Sequence, residues 1–120
     1  MIEESEYEVV FHERPSGRCP MDEFLDRLPV KVRAKLMRWI EKLEAEGPNL
    51  PRPYSDVLRG KIRELRLQFG NHQYRCLYFF DGKRIVMTHA FMKKTDRVPE
   101  GEIEYAESLM KEYHHEKIQR

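Results

Sequence analysis

Residues 61–95 read KIRELRLQFGNHQYRCLYFFDGKRIVMTHAFMKKT. Three runs rich in β-branched, aromatic and aliphatic residues, 61–69, 73–80 and 84–92, are separated by Gly70-Asn71 and Asp81-Gly82. Both dipeptides suit short hairpin turns, in which one or both central residues take positive φ. The stretch therefore predicts three consecutive antiparallel strands.

Register follows from the first turn. With Gly70-Asn71 as a two-residue loop, Phe69 faces His72 and Arg66 stands directly opposite Arg75. A four-residue loop would make the two arginines diagonal neighbours on the same face, and an odd-length loop would separate them. Like charges directly across a strand pair cost about 0.2–1 kcal/mol, so this pairing calls for an anion that relieves it. Alternation carried past Asp81-Gly82 adds Thr88, Ala90, Met92 and Lys94 to the arginine face. It leaves Leu65, Leu67, Phe69, Tyr74, Cys76, Tyr78, Phe80, Ile85, Met87 and Phe91 on the opposite, core-forming face. His89 also falls on the core side, unless a bulge returns it to the arginines.

Upstream, Tyr7, Val9 and Phe11 alternate as a short strand that stops at Arg14-Pro15-Ser16-Gly17. Pro20, Asp22 and Glu23 open a short helix, with proline in the first turn and acids near the positive end of the helix dipole. A longer helix follows Pro29, with Val32, Leu36, Trp39, Ile40 and Leu43 at helical spacing and Gly47-Pro48 as its stop. Residues 48–53, PNLPRP, form a stiff connector. Downstream, Pro99-Glu100-Gly101-Glu102 begins a helix carrying Ile103, Ala106, Leu109, Met110 and Tyr113. The expected fold class is α+β: an N-terminal strand and a helix hairpin packed on an antiparallel sheet of about four strands, then a C-terminal helix, all in one domain spanning 1–120.

The chain has 22 Lys plus Arg against 21 Asp plus Glu, for a net charge of +1. That near-neutral total hides segregation: residues 1–50 hold 8 basic and 11 acidic side chains, 51–99 hold 11 and 4, and 100–120 hold 3 and 6. The basic stretch coincides with the predicted strands and suits an anionic partner. The acid-rich start MIEESEYEVVFHERP lacks the basic and apolar regions of a signal peptide, and no apolar run reaches the length of a membrane span. With only Cys19 and Cys76, read as free thiols, these features place the protein in the cytoplasm.

Three motifs in order, Lys61-Ile-Arg-Glu-Leu-Arg66, Tyr74-Arg75 and His89-Ala-Phe-Met-Lys-Lys-Thr95, followed by Pro99 and a helix, resemble the RelE/HigB toxin superfamily, and within it the phage-derived HigB-like branch. The resemblance implies the toxin of a type II toxin-antitoxin system, an endoribonuclease or mRNA interferase that cuts mRNA, usually on the ribosome. It also implies silencing by a helix-turn-helix antitoxin. By the same resemblance Arg66 and Arg75 line the RNA site, Lys93 and Lys94 are basic residues at its mouth, and His89 matches the family's histidine in the last strand. The expected catalytic group is Arg66, Arg75, His89 and Lys94, and the expected RNA contacts are Arg63, Lys93 and Tyr74. Ala90 stands where the branch commonly has glycine, and Val98 where it has a helix-capping threonine. The superfamily also holds ParE-like gyrase inhibitors that cleave nothing, and an inactive phage-derived protein is a further alternative.

The residue types suit cleavage of RNA without metal. The ribose 2′-hydroxyl must lose a proton, charge on the phosphate must be stabilised, and the leaving 5′-oxygen must gain a proton. Arginines grip phosphate in a forked geometry. Lys93, Lys94 and His89 are acid or base candidates, and Glu64 is either a further base or a structural partner of the arginines. Tyr74 and Tyr78 either stack on bases or pack in the core. No acids or histidines of the basic stretch have metal-ligand spacing, so no cofactor is expected; His114-His115 reads as a solvated helix end.

Overall fold

Phe69 pairs with His72 across the Gly70-Asn71 turn, Gly70 having φ +59°, and Arg66 stands opposite Arg75 as the register requires. The computed structural model describes residues 6–118; residues 1–5, part of the acidic start, and 119–120 lie outside the described residues. The elements are β1 (Glu8–Phe11), α1 (Pro20–Arg27), α2 (Val30–Glu46), a single 3₁₀ turn (Gly47–Asn49), β2 (Ser55–Arg59), β3 (Ile62–Phe69), β4 (His72–Asp81), β5 (Arg84–Lys93) and α3 (Glu100–Ile118). The sheet order is β1-β5-β4-β3-β2, with β1 parallel to β5 and every other pair antiparallel. This is an α+β fold on a mixed five-stranded sheet.

The fifth strand, β2, was not expected. Ser-Asp-Val-Leu-Arg lacks a clean apolar alternation because it is an edge strand, where charged residues discourage further pairing. Its register with β3 shifts between Val57 and Arg59. At the other edge Glu44 of α2 accepts the Val9 N–H at 2.8 Å, so the exposed side of β1 is also occupied. Gly47 ends α2 with φ +56°, and a Cβ there would lie 2.6 Å from the Tyr7 ring, so no larger residue fits.

Both faces of the sheet are covered. The α1–α2 hairpin buries Met21, Phe24, Leu36, Ile40 and Leu43 against Leu65, Leu67, Tyr74, Cys76, Tyr78, Ile85 and Met87. On the reverse face Ile62, Leu77, Phe79 and Val86 pack with Ala106 of α3. Strand β4 is consequently buried without interruption from Tyr74 to Phe79. Ion pairs and hydrogen bonds hold α3 down at its far end, where Glu112 meets His12 at 2.8 Å and Arg14 at 3.2 Å, and Asp81 accepts from Tyr113 at 2.6 Å and Lys117 at 2.7 Å. No helix among the described residues is long and apolar enough to cross a membrane.

One residue corrects the expected alternation on β5. Leu77 pairs with His89 but its neighbour Tyr78 pairs with Met87, leaving Thr88 as an extra, bulged residue. Beyond it the faces exchange. His89, Phe91 and Lys93 lie on the arginine face, whereas Ala90 packs on the hairpin side with Cys76 opposite it. Thr88 is fully buried, and its hydroxyl donates to the Leu77 carbonyl at 3.1 Å. Thr88→Val keeps the shape and removes this donor, so urea denaturation is expected to show a loss of about 1–3 kcal/mol. An unchanged midpoint would mean that the hydroxyl does not hold the bulge.

Candidate functional site

Beyond α3's packed half, the reverse face of the sheet opens into a cleft of about 360 Å³. Arg66 of β3, Arg75 of β4 and Lys93 of β5 converge there, joined by Arg97 from the β5–α3 loop. Val98 and Ile103 form part of the wall. The Pro99 carbonyl accepts the Glu102 and Ile103 N–H groups, so Val98 and Ile103 hold the positions of a hydrophobic staple around the start of α3. Val98, which stands where the resembled branch has a capping threonine, therefore shapes the wall instead.

Glu64 supplies the anion that the arginine register demands. Its Oε1 lies 2.7 Å from Arg75 Nε and 3.1 Å from Arg66 Nε, and both Glu64 and Arg75 are buried. Arg75 also donates to the Tyr74 carbonyl and to Gln73 Oε1, each at 3.0 Å. Burial pulls the Arg75 guanidinium below its ordinary value, Glu64 pulls it back up, and Arg66 adds to the depression. Arg66 reaches Asp56 Oδ2 at 3.4 Å, and Asp56 in turn holds Arg52 at 2.8 Å. Since guanidinium carries five donors, these contacts leave N–H groups of both arginines for a ligand. The cleft also contains Asp96 and Glu100, so its four cations face four carboxylates.

The remaining sequence-predicted residues are distributed unequally. Lys93, expected at the margin, lines the cleft, while Lys94 turns away to a separate depression with Phe91, Thr95 and Glu102. The Thr88 bulge causes this exchange. Tyr74 is 4% exposed and packs edge-on against Phe24 on the hairpin side, away from the arginines. Arg63 pairs with Tyr78 on that same side and its guanidinium rests over the Phe80 ring, 5.6 Å from the centroid. His89 shares the arginine face but lies beneath α3, against Tyr105 and Phe91, with Nε2 3.8 Å from Glu102. Asp56 and Arg97 were not anticipated. Its place three residues after the Lys93-Lys94 pair was the only signal for Arg97, and Asp56 sits on the unrecognised edge strand.

A family model for phage-derived Gp49-like proteins (DUF891) matches residues 23–111. The chain belongs to the Gp49-like family. That family lies within the RelE/HigB-like toxins, and the matched segment runs from α1 into α3, so it contains every residue of the cleft. No curated protein matches the sequence. In this Gp49-like chain the cleft floor is the part built from buried charges, and the loop after β5 supplies its exposed rim.

Two outcomes follow from the floor. Glu64→Ala strands the buried Arg75 charge beside Arg66 and is expected to cost about 3–5 kcal/mol in chemical denaturation. A loss below 1 kcal/mol would mean that the two arginines do not depend on Glu64. His89 is buried, and burial pushes it down to about 4, so the folded protein holds it neutral while the unfolded chain protonates near 6.5. Its contribution is complete above pH 6.5 and is lost as pH falls towards 4, amounting to about 3 kcal/mol. Denaturation at pH 7.5, 5.5 and 4 should give a flatter profile for His89→Gln than for the parent chain. Parallel profiles would refute a neutral buried His89.

Proposed function

We propose that this protein is the toxin of a type II toxin-antitoxin system and a metal-independent endoribonuclease of the HigB-like branch, acting in the cytoplasm on mRNA held by the ribosome. The observation that carries this reading is the convergence of Arg66, Arg75, Lys93 and Arg97 from three strands and a loop into one open cleft. Four cations around a space of this size suit a phosphodiester and its neighbours, and membership of the Gp49-like family supports a toxin.

In this mechanism Arg66 and Arg75 bind the scissile phosphate and stabilise the charge that builds as the 2′-oxygen attacks phosphorus. The bond from phosphorus to the 5′-oxygen breaks, leaving a 2′,3′-cyclic phosphate. Lys93 donates a proton to the departing oxygen, and a cleft carboxylate, Glu64 or Asp56, takes the 2′ proton. Glu64 also fixes the arginines, and Asp56 must yield Arg66 to the incoming phosphate. His89, neutral and covered by α3, supports the floor beneath the reacting groups. A neighbouring helix-turn-helix antitoxin is the expected partner.

Incubation with mRNA, with and without ribosomes and without added divalent metal where ribosomes are absent, should yield discrete cuts that Arg75→Ala abolishes. Binding of a non-cleavable strand should weaken with salt at a log–log slope of about −2 if three cations meet phosphates. Intact RNA in every arm together with no growth arrest would refute the proposal, and gyrase-dependent DNA breaks would mark a ParE-like toxin instead.

A further inference from the structure

The arginine pair opens on two sides. Besides the cleft, Arg66 and Arg75 line a groove of about 260 Å³ that rounds the free edge of β3 and continues to α2. β2 stops pairing with β3 at Leu65, and the Arg66 N–H donates to the Tyr54 carbonyl at 2.8 Å, so Tyr54 closes the β2 end. Beyond it the groove is walled by Trp39 of α2 and by Tyr54, two half-buried aromatics whose rings meet edge to face with centroids 5.8 Å apart. Lys35 lies 5.4 Å from the Trp39 centroid and donates to the Gln68 carbonyl.

The groove's polar groups are arranged as a pair. Gln68 and Gln73 stand directly opposite each other across β3 and β4, and both are exposed. Gln73 gives its amide oxygen to Arg75, which leaves its amide nitrogen as a donor; Gln68 gives its nitrogen to the Gly70 carbonyl, which leaves its oxygen as an acceptor. A donor beside an acceptor complements the edge of a nucleobase, aromatic walls complement its face, and Lys35 with the shared arginines complements the phosphate that follows. An apolar side chain would leave the free glutamine amide groups unpaired, and a bare anion would leave the solvent-facing parts of Trp39 and Tyr54 uncovered.

We propose that this groove is a nucleotide subsite, in which the base next to the phosphate held by Arg66 and Arg75 stacks on Trp39 or Tyr54 and is read by Gln68 and Gln73. The inference rests on the endoribonuclease reading of the cleft and adds to it where the strand runs: out of the cleft, past the arginines and around the β3 edge towards α2. Selectivity for single-stranded RNA follows, since a base paired in a duplex cannot present its face and edge to the groove together.

Trp39 is the chain's single tryptophan, so the site carries its own reporter. Titration of the full chain with a short oligoribonucleotide, 2′-O-methylated to prevent cleavage, should change Trp39 fluorescence in step with binding measured by anisotropy. The same strand with an abasic site beside the held phosphate should bind about tenfold more weakly and leave the fluorescence unchanged. Trp39→Phe should keep most of the affinity; Trp39→Leu should lose about tenfold for the complete strand and nothing for the abasic one. Equal affinity of the unaltered protein for both strands at every abasic position, with Trp39 silent, would overturn the subsite while cleavage abolished by Arg75→Ala leaves the nuclease reading intact. Absence of binding to any strand, with no cleavage, would remove both.

Discussion

The extra residue at Thr88 decides what the two faces of the sheet contain. Strand β5 lies between β1 and β4, so a bulge there interrupts an interior strand and leaves a carbonyl in need of a donor. The Thr88 hydroxyl supplies one from the bulged residue itself, at Leu77. Because side chains alternate with a period of two, this single insertion sends His89, Phe91 and Lys93 to the arginine side and Ala90 to the hairpin core. Without it the long, exposed Lys94 would stand over the arginines and His89 would displace apolar packing beneath α1. The bulge thus satisfies both cores and completes the cationic floor together.

The floor's charges are compensated at two scales. Across the chain, 22 basic and 21 acidic groups nearly cancel; within the cleft, each cation has a carboxylate within the same space. Glu64 is the most consequential of these because it is buried and shared, so the juxtaposition of Arg66 and Arg75 does not by itself require an external anion. What remains for a ligand is a set of oriented N–H groups rather than a broad positive field. On the proposed reading, such a site would attract RNA weakly at long range and strongly on contact, which is consistent with a substrate delivered by a scaffold rather than captured from solution.

Much of this was legible in the residues because it rests on local chemistry. Glycine turns set the Arg66–Arg75 register, and proline, acid and glycine positions marked the helices. A bulge was open as the way His89 could rejoin the arginines, but nothing in the residues placed it at Thr88, since threonine is an ordinary strand residue; the exchange of Lys93 for Lys94 and the return of His89 both follow from it. The edge strand escaped because its charges break the apolar pattern for the same reason that an edge tolerates them. The run Cys76-Leu77-Tyr78-Phe79-Phe80 did carry a signal of coverage on both faces, which alternation arguments confined to one face could not use. Tyr74 lies within that strand, which is why packing claims its ring.

Floor and walls of the cleft differ in kind. The floor is held by buried groups, Glu64, Arg75, Thr88 and the β3–β4–β5 ladders, whose disruption carries the cost of stranded charges or carbonyls. The walls are held by pairs that reach solvent at one or both partners: Asp56 with Arg52 and Arg66, and Arg59 with Glu100 and Glu107 of α3. Solvent-accessible ion pairs contribute little, and at 3.4 Å the Asp56–Arg66 contact is the longest of the four, so an anion that offers its own oxygens can replace Asp56 at Arg66 at lower cost than it could replace Glu64. On the proposed reading, the carboxylates that offset the cleft's cations are therefore the groups a phosphate strand would exchange with, while Glu64 keeps the arginines beneath in position.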